Sequence, residues 1–173
     1  GEKAGILRAG VPVVIADADP PSSVTSAAER LAAPTFNTGK AFGLEGDEAW
    51  VSTDEGVHHI AAVPDRLLPD ASFSAALQAV SLAGYLPADA TVRAVAGSVS
   101  MPGRFERRTG SPDLILDVAH NPDAAQLLAR RLAADPGAEP VHAVFNCYVD
   151  KDVGEIIAPL LPIISCWFVP ALP

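Results

Sequence analysis

The stretch Leu114–Pro122, which reads LILDVAHNP, decides the fold of this chain. It begins with a short apolar run typical of a buried strand, and Asp117 follows where that strand is expected to end. Asn121 and Pro122 favour the start of a helix, because an Asn side chain accepts from free backbone N–H groups and proline suits the first helical position. The stretch therefore predicts a strand that leads through a polar turn into a capped helix.

Downstream of this stretch, strands and helices alternate. The predicted elements are strand Leu114–Val118, helix Pro122–Ala134, strand Val141–Cys147, helix Val153–Leu161 and strand Ile163–Val169. Alternation of this kind is typical of a parallel sheet with helical crossovers. We therefore expect a partial Rossmann-like α/β domain with three parallel strands.

The upstream part has a different organisation. The pattern predicts a buried parallel-type strand at Val11–Ala16, a helix from an N-cap at Ser22 to Ala33, a small antiparallel sheet within Phe36–Val63, and helices over 71–85 and 88–99. Hairpin turns are expected at 45–47 and 54–56, because each of these segments combines one glycine with two acidic residues. Met101-Pro102-Gly103 is the best boundary, which gives domains 1–100 and 101–173.

Charge and composition exclude some classes of protein. The net charge of -9 argues against a nucleic-acid or membrane-surface binder, because phosphates favour positive surfaces. Residues 156–173 carry no charge over 18 positions, but four prolines predict a short helix and a strand in place of a membrane span. Cys147 and Cys166 lie in apolar runs, and we expect two buried thiols in a reducing cytosol.

Three polar residues are predicted to lie where ligands commonly bind. Asp117 and His120 come after a predicted parallel strand, and such strand ends face the ligand crevice of open sheets. Arg104, at the predicted boundary, suits contact with a phosphoryl group. We expect no zinc site at the pair His58-His59, because no third ligand stands at metal spacing. We also expect no phosphate loop at Gly39-Lys40, because the upstream glycine of such a loop is missing.

The segments EKAGILRAGVPVV, PGRF, LILDVAHNPDAA and DKD, in this order and spacing, resemble the folylpolyglutamate/dihydrofolate synthases of the Mur ligase superfamily. The resemblance implies an α/β fold: the remainder of a Mur-ligase central domain with a small antiparallel sheet, then a partial Rossmann-like parallel-sheet C-terminal domain. It also implies an ATP-dependent ligase of folate biosynthesis and one-carbon metabolism. Such enzymes convert a carboxylate to an acyl phosphate, which the amino group of L-glutamate attacks to form an amide.

The resemblance assigns roles to particular residues. Lys3 matches a carbamoylated lysine close to Mg²⁺, and Arg104 matches an arginine that contacts ATP phosphates. Asp117 and His120 match nucleotide-binding residues, with catalytic roles implied for Lys3 and His120. Ser72 stands where the family has an ATP-binding asparagine, so the adenine contact there is altered. The role of the DKD turn, residues 150–152, stays open.

The resemblance further implies ATP and Mg²⁺ as cofactors, folate or dihydropteroate and L-glutamate as substrates, a cytoplasmic location and a monomeric enzyme without nucleic-acid or membrane partners. The family's phosphate loop would precede Gly1, and we therefore expect this chain alone to be inactive. Two alternatives are a peptidoglycan Mur ligase and a non-catalytic α/β module that keeps a nucleotide-sized crevice. The residues do not decide between dihydrofolate synthase, folylpolyglutamate synthase and both.

Overall fold

The computed structural model describes residues 2–66, 68–135, 140–148 and 151–171, without the side chains of Glu2 and Lys3. The chain divides into two compact units, Gly1–Val99 and Ser100–Pro173. The elements of the first unit are a 3-10 helix Glu2–Ile6, β1 Val13–Ile15, α1 Ser22–Arg30, β2 Thr35–Asn37, β3 Phe42–Glu45, β4 Glu48–Thr53, β5 Gly56–Ile60, α2 Asp70–Leu82 and α3 Asp89–Ser98. Those of the second are β6 Glu106–Arg108, β7 Leu114–Leu116, α4 Pro122–Ala134, β8 Val141–Val144, α5 Val153–Ile157 and β9 Ile164–Phe168.

The first two strands form a parallel pair joined through α1. Val13 lies opposite Thr35 and Ile15 opposite Asn37, which confirms a parallel-type strand at this position. Two details of the prediction were wrong. The N-cap of α1 is Pro21, with no side-chain cap, so Ser22 is already helical. The run that contains Thr35–Asn37 pairs with β1 and lies outside the antiparallel sheet, because α1 returns the chain in the direction of β1.

Strands β3, β4 and β5 form the predicted antiparallel sheet. The β3–β4 hairpin closes at the pair Glu45–Glu48, and Gly46 occupies the left-handed region there with φ 59°. The β4–β5 hairpin closes at Thr53–Gly56. Both hairpin turns lie where the acidic and glycine residues predicted them.

Helix α2 covers one face of this sheet. The core between them is apolar and includes the fully buried Phe42, Val51 and Ile60, with Phe73 and Leu77 from α2. Two buried polar side chains, Ser74 and Gln78, come from α2. Gln78 is 0% exposed, and its amide accepts from Ser52 N at 2.8 Å and donates to Ser52 O at 3.0 Å. Since both amide atoms are paired with backbone, the burial of this polar group is compensated.

The second unit contains two small sheets in its described residues. β8 and β9 pair in parallel, as predicted, but β7 pairs antiparallel with β6, and the expected three-stranded parallel sheet is not seen there. Strand β6 was missed because its residues, Glu106-Arg107-Arg108, are polar and give no apolar alternation. A cavity of about 530 Å³ is lined by residues of both β7 and β8, which do not pair with each other.

Helices α4 and α5 supply most of the buried core of the second unit. Ala125, Ala129 and Leu132 from α4 pack with Ile156 from α5 and Leu160. The first of these helices has the predicted bounds because its ends are well specified. Asn121 Oδ1 accepts from Ala124 N at 2.9 Å, and Pro122 occupies the first turn.

The apolar C-terminal stretch folds as a short helix and a strand, as the prolines predicted. No helix among residues 2–66, 68–135, 140–148 and 151–171 is long and apolar enough to cross a membrane. Both cysteines are free thiols, but each is half-buried, so the expectation of two buried thiols was wrong. The physical reason is that β8 and β9 form a small sheet whose outer side chains, such as Val144 and Phe168, remain exposed.

Candidate functional site

The segment Gly103–Phe105 forms a tight turn at the start of the second unit. Gly103 and the non-glycine Phe105 both have positive φ, 69° and 46°, and Arg104 N donates to Met101 O at 3.0 Å. A Cβ at position 103 would lie 2.9 Å from Val118 Cγ1, so both the backbone angle and the space favour glycine. Positive φ at a bulky residue such as Phe105 costs about 1–3 kcal/mol and persists only where surrounding contacts hold it.

Hydrogen bonds from two directions hold this turn. Val118 N donates to Gly103 O at 2.8 Å, and Phe105 N donates to Asp117 Oδ2 at 2.8 Å. Gly103 N donates to Glu106 Oε2 at 2.9 Å. The turn is therefore fixed to the loop that follows β7, where the sequence predicted ligand-binding residues.

Asp117 has a structural role that the sequence did not indicate. Besides Phe105 N, its carboxylate accepts from Ala119 N at 2.8 Å through Oδ1. Each oxygen thus accepts from one backbone amide, one at the end of the Gly103–Phe105 turn and one in the loop that follows β7. This arrangement fixes both loops, and the remaining lone pairs of the carboxylate can still accept from a ligand.

Glu106 is a second carboxylate that sequence reasoning missed. The N–H of Gly103, followed by the Arg108 side chain, holds the pKa of Glu106 below its usual value. Because the pKa is lowered in the folded state, the carboxylate stabilises the fold fully above its unfolded pKa. That contribution is lost as the pH falls through the lowered pKa.

The Phe105 ring anchors the turn from the other side. It packs against the α4–α5 core, and Arg131 Cζ lies 5.7 Å from the ring centroid. This distance is within the range of a cation–π contact. The backbone and side chain of Phe105 are therefore both fixed, which keeps the neighbouring Arg104 in place.

The Arg104 side chain is half-buried. Within the described part of the chain, the structure shows no hydrogen bond or ion pair to its guanidinium. Arg107, nearby in sequence, is instead paired with Asp135 and lies 3.8 Å from Asp113. Arg104 is therefore available to bind an anion with its planar set of donors.

His120 lies exposed in the same loop. Its Nδ1 is 3.0 Å from Val118 O, and since a carbonyl can only accept, Nδ1 carries the proton. The other ring nitrogen, Nε2, is left to accept when the ring is neutral and to donate when it is protonated. The second unit thus combines an open guanidinium and a polar imidazole with a rigid backbone.

The remaining predicted residues lie elsewhere. Ser72 is exposed in the first turn of α2, in the first unit. Lys3 lies in the 3-10 helix, and its side chain is outside the described residues, as is Asp150. Asp152 caps α5 by accepting from Glu155 N at 3.1 Å. The nucleotide and metal roles of these residues stay predictions.

The two adjacent histidines have separate partners. His58 Nε2 lies 2.9 Å from Asp89 Oδ1, and His59 Nδ1 lies 2.6 Å from Glu48 Oε1. No group of three or more His, Cys, Asp or Glu residues suited to a metal ion occurs in the described ranges. Arg104 and His120 are donors that suit an anion.

Residues 103–170 match the family model of the Mur ligase, glutamate ligase domain. Individual relatives show a more specific similarity. The chain is 31% identical over 169 residues to the dihydrofolate synthase/folylpolyglutamate synthase of Escherichia coli K12, which aligns with 96% of this chain. These matches confirm the resemblance that the motifs predicted. The chain spans 40% of the length of that relative.

Solved structures give the same relationship. The Escherichia coli FolC protein in complex with ADP superposes with a TM-score of 0.81 at 30% identity, over 99% of this chain and 42% of that one. A bifunctional folylpolyglutamate synthase/dihydrofolate synthase with Mn, AMPPNP and L-glutamate bound gives a TM-score of 0.78 at 32% identity, over 99% and 42%. The predicted mixed α/β fold class is confirmed by these similarities.

Proposed function

We propose that this chain is part of an ATP-dependent ligase that joins L-glutamate to dihydropteroate or to the γ-carboxylate of folates. The observation that carries the proposal is the Arg104 guanidinium. It has no partner among the described residues and lies on a turn whose backbone N–H groups are held by hydrogen bonds. The similarity to proteins solved with ADP, and with AMPPNP and L-glutamate, supports it.

The proposal assigns a part to each unit. Residues 1–100 correspond to the C-terminal part of an ATP-binding central domain, and residues 101–173 to a Mur-ligase-type C-terminal domain. Ser72 in α2 is the proposed adenine-side contact in the first unit. A cytoplasmic location and a monomeric state also stay predictions.

The second unit contributes the edge of a nucleotide site. When bound, ATP would supply the phosphoryl group that activates a substrate carboxylate as an acyl phosphate. Arg104 binds and neutralises phosphate oxygens, because a guanidinium offers paired donors in a planar fork. His120 donates or accepts at Nε2 beside the nucleotide. Asp117 holds the two loops that contain Arg104 and His120.

A divalent metal belongs to the same proposal. A relative was solved with Mn, and Mg²⁺ is the expected physiological ion. Lys3, as a carbamate, is the residue of this chain proposed to lie at the metal. Carboxylate-type oxygens suit Mg²⁺, which prefers hard oxygen ligands.

Arg104→Ala tests the proposed nucleotide edge. We expect the Kd for ADP, measured by isothermal titration calorimetry, to rise roughly 10- to 100-fold, since hydrogen bonds to a charged group contribute about 1.5–3 kcal/mol and about 1.4 kcal/mol is tenfold. Arg104→Lys should lose less, because it keeps the charge without the fork.

The matched control is Arg130→Ala, which removes the same charge from an exposed position of α4. It should leave ADP affinity within about twofold of the parent chain, as expected for a screened surface charge. Equal losses in the two alanine variants, or no loss in Arg104→Ala, would contradict the proposed site.

A further inference from the structure

We propose that Glu106 is a positioning residue, which acts on nucleotide phosphate by holding the Gly103–Phe105 turn and thereby Arg104. The proposal rests on the proposed function, since it requires that Arg104 bind phosphate. Glu106 itself does not contact the ligand. Its carboxylate is occupied by Gly103 N at Oε2 and by Arg108 at Oε1.

The β6–β7 pair places two carboxylates around the turn. Glu106 lies opposite Leu116 in the register, and Asp117 is the next residue after Leu116. Glu106 therefore accepts from Gly103 N, and Asp117 from Phe105 N, on either side of Arg104. Arg104, the residue between the two donors Gly103 and Phe105, is the one whose guanidinium has no partner in the described part of the chain.

Glu106 is itself held by a cation. Arg108 Nε lies 3.0 Å and Arg108 Nη2 lies 3.0 Å from Glu106 Oε1, which is a two-point contact with one oxygen. This contact leaves Oε2 directed to Gly103 N. Arg108 thus orients the Glu106 carboxylate. Glu106 in turn holds the backbone of Gly103 and, through the turn, the position of Arg104.

The turn needs such acceptors because its backbone is unfavourable without them. Gly103 and Phe105 both have positive φ, and a phenylalanine rarely adopts that region. Without the acceptor at Glu106, the Gly103 N–H loses its partner and the turn can relax to other angles. The guanidinium of Arg104 would then sample several positions, and phosphate binding would have to restrict them.

A double-mutant cycle on the 173-residue chain distinguishes positioning from general stabilisation. The variants are Glu106→Ala, Arg104→Ala and the double variant, with ADP affinity measured by isothermal titration calorimetry. We expect Glu106→Ala to raise the Kd for ADP roughly three- to tenfold in the parent chain, as for residues coupled through a shared backbone segment, and to leave it unchanged in the Arg104→Ala background. Glu106→Gln should recover most of the affinity, since its amide oxygen can still accept from Gly103 N.

The control is Glu155→Ala, which removes an exposed carboxylate of α5 and should leave the Kd unchanged. Hydrogen exchange at Gly103 N should accelerate in Glu106→Ala and not in Glu155→Ala. Equal losses of affinity in both backgrounds, or no loss in the parent chain, would overturn the positioning role alone. If Arg104→Ala itself has no effect, the proposed function fails, and the positioning role falls with it.

Discussion

Replacing Gln78 with alanine is expected to lower the free energy of unfolding by about 2–4 kcal/mol. The side chain is fully buried between α2 and the sheet, and its amide satisfies both backbone groups of Ser52. Alanine leaves Ser52 N–H without its partner and opens a cavity in a packed core. Ser81 Oγ, 2.9 Å from Ser52 O, can still satisfy the carbonyl but not the amide.

Urea denaturation followed by circular dichroism measures this loss. Gln126→Ala is the matched control, because it makes the same substitution at an exposed position of α4. The control should stay within about 0.5 kcal/mol of the parent, as surface substitutions usually do. A Gln78→Ala variant that unfolds at the same urea concentration as this control would show that the buried amide does not stabilise the first unit.

Asp117→Ala is expected to destabilise the second unit by about 2–4 kcal/mol, because both carboxylate oxygens accept from backbone amides. It should also weaken ADP binding, since the turn that contains Arg104 loses its contact at Phe105 N. Asp117→Asn should lie between the alanine variant and the parent, because its amide oxygen can replace only one of the two acceptors.

The fluorescence of Trp167 reports unfolding of the second unit, with Trp50→Phe in every variant to leave one indole. Asp123→Ala is the control, an exposed acidic residue in the first turn of α4. A helix-end charge of this kind is worth about 0.3–1 kcal/mol. If Asp117→Ala weakens ADP binding without changing the unfolding midpoint, Asp117 acts only on the nucleotide and the structural role is wrong.

Local signals predicted most helices well. The bounds of α4 were predicted correctly because Asn121 and Pro122 specify its start in neighbouring residues. Strand pairing was harder. The polar β6 is defined by its hydrogen bonds with β7, and no feature of Glu106–Arg108 alone indicates a partner six to ten residues away.

The candidate site divides in the same way. Arg104 and His120 were expected from short motifs, because their residue types suit phosphate and nucleotide contacts. The roles of Asp117 and Glu106 depend on which backbone amides face them, and Phe105 gives no local sign of its positive φ. Such contacts are set by the pairing of β6 with β7, which the sequence pattern did not reveal.

The loop 103–105 and the loop 117–120 together form the proposed edge of a nucleotide site. A titration of the ¹⁵N-labelled chain with ADP, followed by two-dimensional NMR, tests it most directly. We expect saturable shifts of the Arg104 Nε–H and of the amides of Phe105, Ala119 and His120, all absent in Arg104→Ala. Saturable shifts that leave these resonances unmoved, or no shifts at all, would contradict it.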